Sequence, residues 1–558
     1  MAESPIDRLL AGGWRGPLVA AAVAMLATLP GLIAIPVLDR DEARFAQSTA
    51  QMLETGDLVS ISLQDAPRFK KPVGIHWLQA LSVGALSRVE ARQIWAYRIP
   101  SLLGAMAAAA ACAWGAAVFF GPSGGAVAGA LLGSSLILST EGFIAKTDAA
   151  LCGAITLMMA ALARIYASSK DEAIAGVGTR TLFWAGLALS ILLKGPIGPL
   201  VAGLTLLALW AWDRKAAWMA GLGWTWGLAL VLSVVGPWAW AITVTTDGAF
   251  WTGAVMGDML AKVGAGQESH GAPPGLHTVL APLLLFPGSV LLPAALVLGW
   301  KARERTGVRF ALCWLVPAWL VFELTPTKLP HYTLPLYGAL AWLMAAALQQ
   351  PIGKVSRYVG AGLGVLAGGL LAAAGVVLAL RYGSGLSLAW AIVSALLLLA
   401  AAGAGVVLIL FRRSSIVALS VACSLGLLGH DALAAGLAPS LEPLWVSNRV
   451  AAAIKRAGLD PRNGVTPGPI SMAGFGEPSM AFLLGTRTEL GTGEVAAAAI
   501  SDGRPAVVER KELPEFQDAL KAQEARAAPA REVKGIDYSK GKPVDLFLYR
   551  SLESGDQR

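Results

Sequence analysis

The chain has 558 residues, 56% of them hydrophobic and only 14% charged, and apolar runs of 18 or more residues recur along it. That composition assigns it to the helical integral membrane proteins, because runs such as "AAAAACAWGAAVFF" lack the alternation of a transmembrane barrel. The formal charge of +8 sits in short loops between apolar runs, where Lys and Arg set topology and meet anionic headgroups, so nucleic-acid binding is not expected.

The N-terminal "MAESPIDRLLAGGWRG" carries Arg8 and Arg15 ahead of an apolar run too long for a secretory signal, with no small-x-small cleavage site. It predicts an uncleaved first helix with a cytoplasmic N-terminus. Membrane spans are predicted at 16–37, 98–120, 124–143, 149–166, 181–194, 197–212, 220–243, 277–298, 307–324, 331–348, 358–380, 386–411 and 415–437, about thirteen in all. The basic loops "WDRKAAW", "KARERTGVR", "KVSRY" and "FRRSS" all fall on the cytoplasmic side when spans are counted between them. The count reaches back to Arg8 and Arg15 only if the apolar stretch 73–89 lies along the interface, within a long first external loop, 38–97. A larger external loop follows at 244–276. Residues 1–439 therefore form a transmembrane domain and 440–558 a small soluble α/β domain on the external face, in which "SNRVAAAIKRAGLDPRNG" reads as an amphipathic helix and turn and "PISMAGF", "PAVVERK" and "DLFLYRS" as strands. Cys112, Cys152, Cys313 and Cys423 lie inside apolar runs without metal-site spacing and are read as packing residues.

Sorted by side, the polar residues at span ends collect on the external face. They are Asp41, Glu42, Lys70, Lys71, Asp148, Lys194, Asp258, Lys262, His270, Lys328, His331 and Tyr332. Several lysines at one membrane surface suit a phosphate, and carboxylates beside them suit an acceptor proton or a sugar hydroxyl or amine. A lipid-linked phosphate sugar meets both requirements. Local structure offers a second account of each residue. Asp41 with Glu42, and Asp148, are also helix N-terminal acids; Lys194 and Lys328 are also snorkelling lysines; His331 also suits a structural hydrogen bond in a proline turn. Their coincidence on one face favours the site. The C-terminal segment has glycines in "GFGEP" and "GTRTELGTGE" but no phosphate-binding loop.

The ordered motifs "DEARFAQSTAQMLETGDLV", "FKKPVGIHWLQAL", "TDAAL", "LKGPIG" and "KLPHYTLPLY" resemble the bacterial aminoarabinose transferase branch of the protein O-mannosyltransferase superfamily, membrane glycosyltransferases of the GT-C type. The resemblance runs over roughly residues 10–350. It implies a GT-C fold of about thirteen transmembrane helices with a periplasmic domain, and inverting transfer of a sugar from undecaprenyl phosphate to a periplasmic acceptor, often lipid A. Carried onto this sequence, it implies catalytic roles for Asp41 and Asp148, with Glu42 as neighbour and cap. It implies phosphate contacts from Lys71 and Lys262, with Lys70 and Lys328 beside them, and a donor site lined by Tyr332, His331, His270 and Lys194.

Two departures matter. Relatives usually read Phe-Glu-Lys-Pro where this chain has Phe69, Lys70, Lys71 and Pro72, so lysine replaces an acidic residue able to hold a metal, and Lys70 itself supplies positive charge. No metal ligand set is therefore assigned, and a divalent ion is the single cofactor candidate. The loop "GAGQESHGAPPGLHT" lacks the aromatic stretch of close relatives, which leaves aminoarabinose, a uronic acid and a neutral hexose open. The rival readings are a protein O-glycosyltransferase and a transporter or flippase, the latter suggested by the Gly/Pro-broken "LLKGPIGPL". The expected partners are the lipid-linked donor, lipid A or another periplasmic acceptor, and membrane lipids, and the expected oligomeric state is a monomer. The expected location is the bacterial inner membrane.

Overall fold

The computed structural model of the protein describes residues 13–260, 271–411, 415–460 and 468–552. Helices α1 (Arg15–Ala34) and α2 (Asp41–Thr55) come first, followed by a two-stranded ribbon of β1 (Ser62–Leu63) and β2 (Ala66–Pro67). Then come α3 (Gly74–Leu86), α4 (Ile94–Gly133), α5 (Leu136–Gly142), α6 (Asp148–Ser168), α7 (Val177–Lys194), α8 (Ile197–Asp213) and α9 (Trp224–Thr245). The bundle continues through α10 (Leu276–Leu284), α11 (Leu292–Lys301), α12 (Thr306–Leu324), α13 (Tyr337–Leu348), α14 (Lys354–Tyr382), α15 (Gly385–Phe411) and α16 (Ser415–Asp431).

Every predicted span has a helical counterpart, with instructive differences. Nine described helices are long and apolar enough to cross a bilayer, ten if the pair bent by 119° between Leu284 and Gly288 counts as one span. Spans 98–120 and 124–143 merge into α4, which changes direction at Gly121, whose φ of 74° a side chain would strain, before α5 completes the second. Span 331–348 begins as a 3-10 turn over Pro330–Leu336, because Pro330 and Pro335 deny two amide donors. The stretch 73–89 forms α3, only 13 residues long and so too short to cross.

Small residues let α4 and α6 meet backbone to backbone. A Cβ on Gly104 would lie 2.4 Å from Ala150 Cα, and one on Gly153 would lie 2.6 Å from the Gly104 carbonyl oxygen. This contact fixes the first turn of α6, where Asp148 stands.

The C-terminal unit is a five-stranded sheet in the order β4 (Glu489–Gly491), β3 (Ser471–Ala473), β5 (Ala506–Glu509), β7 (Lys542–Ser551), β6 (Ala527–Asp537). β3 runs parallel to both neighbours, while β7 is antiparallel to β5 and β6, with Val507 opposite Leu548. Ile470, Met472, Val507, Leu546 and Leu548 pack against Val446, Val450 and Ile454 of α17 (Val446–Arg456). The three predicted strands and the amphipathic helix are present. β4 and β6 carry no hydrophobic run and went unforeseen; β6 is a charged edge strand, a composition that protects an open edge.

This unit is seated on α2. Phe482 of α18 (Pro478–Leu484) packs among Ala43, Ala46 and Ala50, edge-on to Tyr97 at 5.2 Å. Arg92 joins Gln47 (2.9 Å) and Glu54 to Thr486 (3.1 Å), and Gln64 donates to the Thr488 carbonyl at 2.5 Å. The Asp39 carboxylate accepts from Ser447 (3.1 Å) and Ser479, while its amide donates to the Tyr538 hydroxyl at 2.6 Å. Asp39 is therefore a docking residue for the C-terminal domain. Burial, the largest influence, pushes its carboxyl up to about 6 against the lowering effect of the Ser479 hydrogen bond.

Candidate active site

Helix α2 starts abruptly. Arg40 takes φ 62°, and Asp41 and Glu42 occupy the first turn, where carboxylates meet the positive end of the helix dipole. Such backbone costs on the order of 1–3 kcal/mol and persists only where neighbours over-determine it. The Asp39 contacts do so from one side and Glu42 from the other. Glu42 is sealed between three segments: both its oxygens accept from Arg98 at 2.8 Å, one also accepts the Leu38 amide (2.9 Å), the other the Ala145 amide (2.7 Å). Arg98 in turn donates to the carbonyls of Leu32, Ile35 and Pro36 at 2.7–3.0 Å. The carboxylate of Glu42 thus holds the exit of α1, the start of α2 and the approach to α6 together, with no oxygen turned to a ligand.

Asp41 is different. Its side chain is 56% exposed and pairs loosely with Arg44 at 3.5 Å. Partial burial raises its pKa, but Lys71, Lys146, Arg44 and Arg68 together outweigh this and hold it below the usual carboxylate range. One helical turn on, the buried Phe45 ring faces two cations, Lys71 Nζ at 4.8 Å and Arg68 at 5.3 Å from its centroid, and stacks on His76 at 5.6 Å. Burial, with Arg68 and Lys71 adding repulsion, drives His76 down to about 3, so it is neutral, and its Nδ1 meets Thr49 Oγ1 at 2.8 Å.

A cavity of about 320 Å³ opens between α6, α7, α8, α12 and the 3-10 turn. Its polar end is lined by Lys70, Lys71, Asp148, Lys194, His331 and Tyr332, and the rest by apolar side chains including Leu151, Leu200, Phe250, Val255 and Phe322. A charged head against lysines and a hydrocarbon tail along the apolar wall fit this shape.

Behind the polar end lies a buried charge cluster. Lys194 Nζ donates to Asp148 Oδ1 at 2.5 Å and rests 5.0 Å over the Tyr332 ring. Lys146 Nζ lies 2.8 Å from Glu141 Oε2 and 3.7 Å from Asp148 Oδ2. His331 places Nδ1 3.5 Å from Glu141 and Nε2 3.6 Å from Asp148. Glu141, Asp148 and His331 bring donor atoms within 4.8 Å of one another, a set that by type suits a divalent metal. They do not fit one as arranged, because ammonium groups already occupy the sides of both carboxylates on which an ion would sit. Lys70, on the cavity wall, adds positive charge where the resemblance implies an acid.

The structure thus gathers Lys70, Lys71, Asp148, Lys194, His331 and Tyr332 around one cavity and sets Asp41 in the field of Lys71. It does not bring Lys328 or Glu42 to the cavity wall. Lys328 is buried and committed to the carbonyls of Ala272 (2.9 Å) and Thr325 (2.6 Å). Lys262 and His270 lie outside the described residues, as does the side chain of Asp258. Sequence reasoning missed Glu141 and Lys146. Their signal is the placement of two charges at the end of the apolar run 124–143 and just beyond it, where an ionisable residue is costly and is retained for a function.

No family model matches the chain. It is 27% identical over 332 residues to the undecaprenyl phosphate-alpha-4-amino-4-deoxy-L-arabinose arabinosyl transferase of Pseudomonas paraeruginosa, a match covering 59% of each chain. It is 28% identical over 320 residues to the enzyme of that name from Pectobacterium carotovorum, covering 55% of this chain and 54% of that one. The match spans less than two thirds of these relatives' own length. The crystal structure of ArnT from Cupriavidus metallidurans bound to undecaprenyl phosphate shares the fold, with a TM-score of 0.74 at 17% identity over 95% of this chain and 97% of that one. The chain is therefore ArnT-like: in sequence over a little more than half its length, and in fold, a multi-pass helical membrane domain with a small sheet domain, over nearly all of it.

Proposed function

We propose that this protein is an inverting membrane glycosyltransferase that moves a sugar from undecaprenyl phosphate to an acceptor outside the cytoplasm, lipid A or a related glycolipid. The observation that carries the reading is the cavity, apolar along most of its wall and closed at one end by Lys70, Lys71 and Lys194 around Asp148. The names of the relatives and the ligand of the matching crystal structure support the same donor class. In this reading residues 1–439 form the catalytic membrane domain of an inner-membrane protein with a cytoplasmic N-terminus. The polar end of the bundle, the loops 38–97 and 244–276, and the domain 440–558 face the periplasm.

The acceptor oxygen attacks the anomeric carbon, the bond from that carbon to the phosphate oxygen breaks, and the electron pair leaves with the lipid phosphate. Lys71, with Lys70 and Lys262, stabilises the charge that grows there. Asp148, already held by Lys194, orients the reacting groups. Asp41 takes the proton if the acceptor is a hydroxyl; an acceptor phosphate is already anionic and needs no base, and Asp41 then only positions it. The test is transfer by purified protein from an undecaprenyl-phosphate sugar to lipopolysaccharide, read by mass spectrometry. One added sugar mass on the acceptor is expected, and its absence with every sugar and acceptor class tried would refute the reading.

A further inference from the structure

Three side chains of metal-binding type, Glu141, Asp148 and His331, converge from three segments on one point, and what stands there is the ammonium group of Lys146. Its distances are 2.8 Å to Glu141, 3.7 Å to Asp148 and 3.4 Å to His331 Nδ1, and its side chain is only 11% exposed. From it we infer that Lys146 is a built-in cation that takes the place of a divalent metal ion in this site. It is a positioning residue: it does not line the cavity, and it acts through Asp148 and His331, which do.

The chemistry follows from charge and geometry. Two buried carboxylates that bring oxygens within 4.8 Å of each other repel unless a cation lies beside them. A divalent ion would do this with bonds of about 2.0–2.2 Å, drawing the three ligands inward. An ammonium does it at hydrogen-bond length with three donors, one charge and no preferred coordination number. Glu141 carries no cavity-facing role, so its charge serves Lys146. Lys194 then meets Asp148 from the cavity side, so that the two carboxylates of the cluster face two ammonium groups.

Zinc content tests this separately from the proposed function, because it is read without any substrate. Wild-type protein purified in the presence of zinc and passed through a desalting column should hold well under one zinc per chain by elemental analysis, whereas Lys146→Met should retain about one, bound by Glu141, Asp148 and His331. Lys146→Arg, which keeps the charge, should stay zinc-free. If the chain transfers sugar, chelation should leave the wild-type rate unchanged, and Lys146→Met should lose roughly tenfold or more and recover in part with zinc. Stoichiometric zinc in the wild type, or loss of its activity on chelation, would overturn the inference, as would a folded Lys146→Met variant that takes up no zinc. Should that variant fail to fold, Lys146→Gln, which also removes the charge, is put to the same zinc measurement and should likewise retain about one zinc, its failure to do so when folded overturning the inference. Absence of transfer with an intact zinc pattern would count against the glycosyltransferase reading and not against the role of Lys146.

Discussion

Removing the carboxylate of Glu42 should unfasten the active site without touching its cavity. The Glu42 and Arg98 side chains are both 0% exposed, and their bidentate pair joins α1, α2 and the 143–147 segment. Glu42→Ala leaves the guanidinium of Arg98 uncompensated in a water-free position, a change that typically costs about 3–5 kcal/mol. It also strips the Leu38 and Ala145 amides of their acceptor, at about 1–3 kcal/mol each where water cannot enter. Part of this loss will be relieved by relaxation, so a net destabilisation of about 3 kcal/mol or more is expected. Glu42→Gln keeps the shape and an amide acceptor and should fall between. The assay is thermal unfolding in detergent, run beside transfer. Both readouts should fall together in the order wild type, Gln, Ala. A Glu42→Gln variant with wild-type stability and no transfer would refute the reasoning, since the carboxylate would then act on substrate and not on Arg98.

Other substitutions separate the remaining roles. Asp41→Asn should reduce transfer by about 10² or more while leaving unfolding unchanged, because its side chain is half exposed and holds no buried network; a fully active variant removes Asp41 from the mechanism. Phe45→Leu should weaken binding of undecaprenyl phosphate roughly tenfold and Phe45→Tyr hardly at all, since only the aromatic ring attracts Lys71 and Arg68; equal affinities would exclude the ring as their platform. Docking of the C-terminal domain should depend on pH through Asp39, whose carboxyl rises from 3.8 to about 6 on burial. The docked form favours the protonated acid, so docking is strongest below about pH 4, weakens as pH rises from there to about 6, by at most about 3 kcal/mol in all, and levels off above. Hydrogen exchange in Pro478–Leu484 should accordingly be faster at pH 7 than at pH 5 in the wild type and show no such step, after correction for intrinsic rates, in Asp39→Asn; a step of the same size in the variant would assign it to another group.

How much was legible in the sequence depended on what carried the signal. Hydropathy located every described helix long and apolar enough to cross a bilayer, because crossing demands a long apolar run whatever the tertiary structure. It could not show that 98–143 bends at Gly121 without a loop, nor that 277–298 is broken, since both depend on single backbone conformations. Charge at span ends picked out Lys71, Asp148, Lys194 and His331, which line one cavity, and Asp41, which lies in the field of Lys71. It also drew in Lys328 and Glu42, whose ends look alike in sequence but are taken up by carbonyls and by Arg98. Arg98 itself was hidden as one charge inside an apolar run, and its partner lies 56 residues away, a pairing that only the packing of α4 against α1 reveals. Glu141 and Lys146 were missed for the converse reason: they were treated as the border of a span, when the cost of burying them was the clue.

The two aspartates of the site both stand among cations but differ in burial, and this decides what each can do. Asp148 is buried, with Lys194 on one oxygen and Lys146 and His331 facing the other, so its carboxylate is held in place by its neighbours. It is suited to hold geometry. Asp41 is exposed, pairs with Arg44 at 3.5 Å, and is attached to a helix whose start is fixed by Glu42 on one side and by Ser447, Ser479 and Tyr538 of the C-terminal domain on the other. Its side chain can swing while its backbone cannot. A carboxylate held below its usual pKa by four cations is a weak base, effective only once the acceptor oxygen has begun to acidify in bonding to carbon, or unnecessary if that oxygen is already anionic. In the proposed reaction the acceptor oxygen has to reach Asp41 at the start of α2, the helix on which the C-terminal domain is seated. The seating of that domain therefore bears on where Asp41 stands, through the contacts of the neighbouring Asp39 with Ser447, Ser479 and Tyr538.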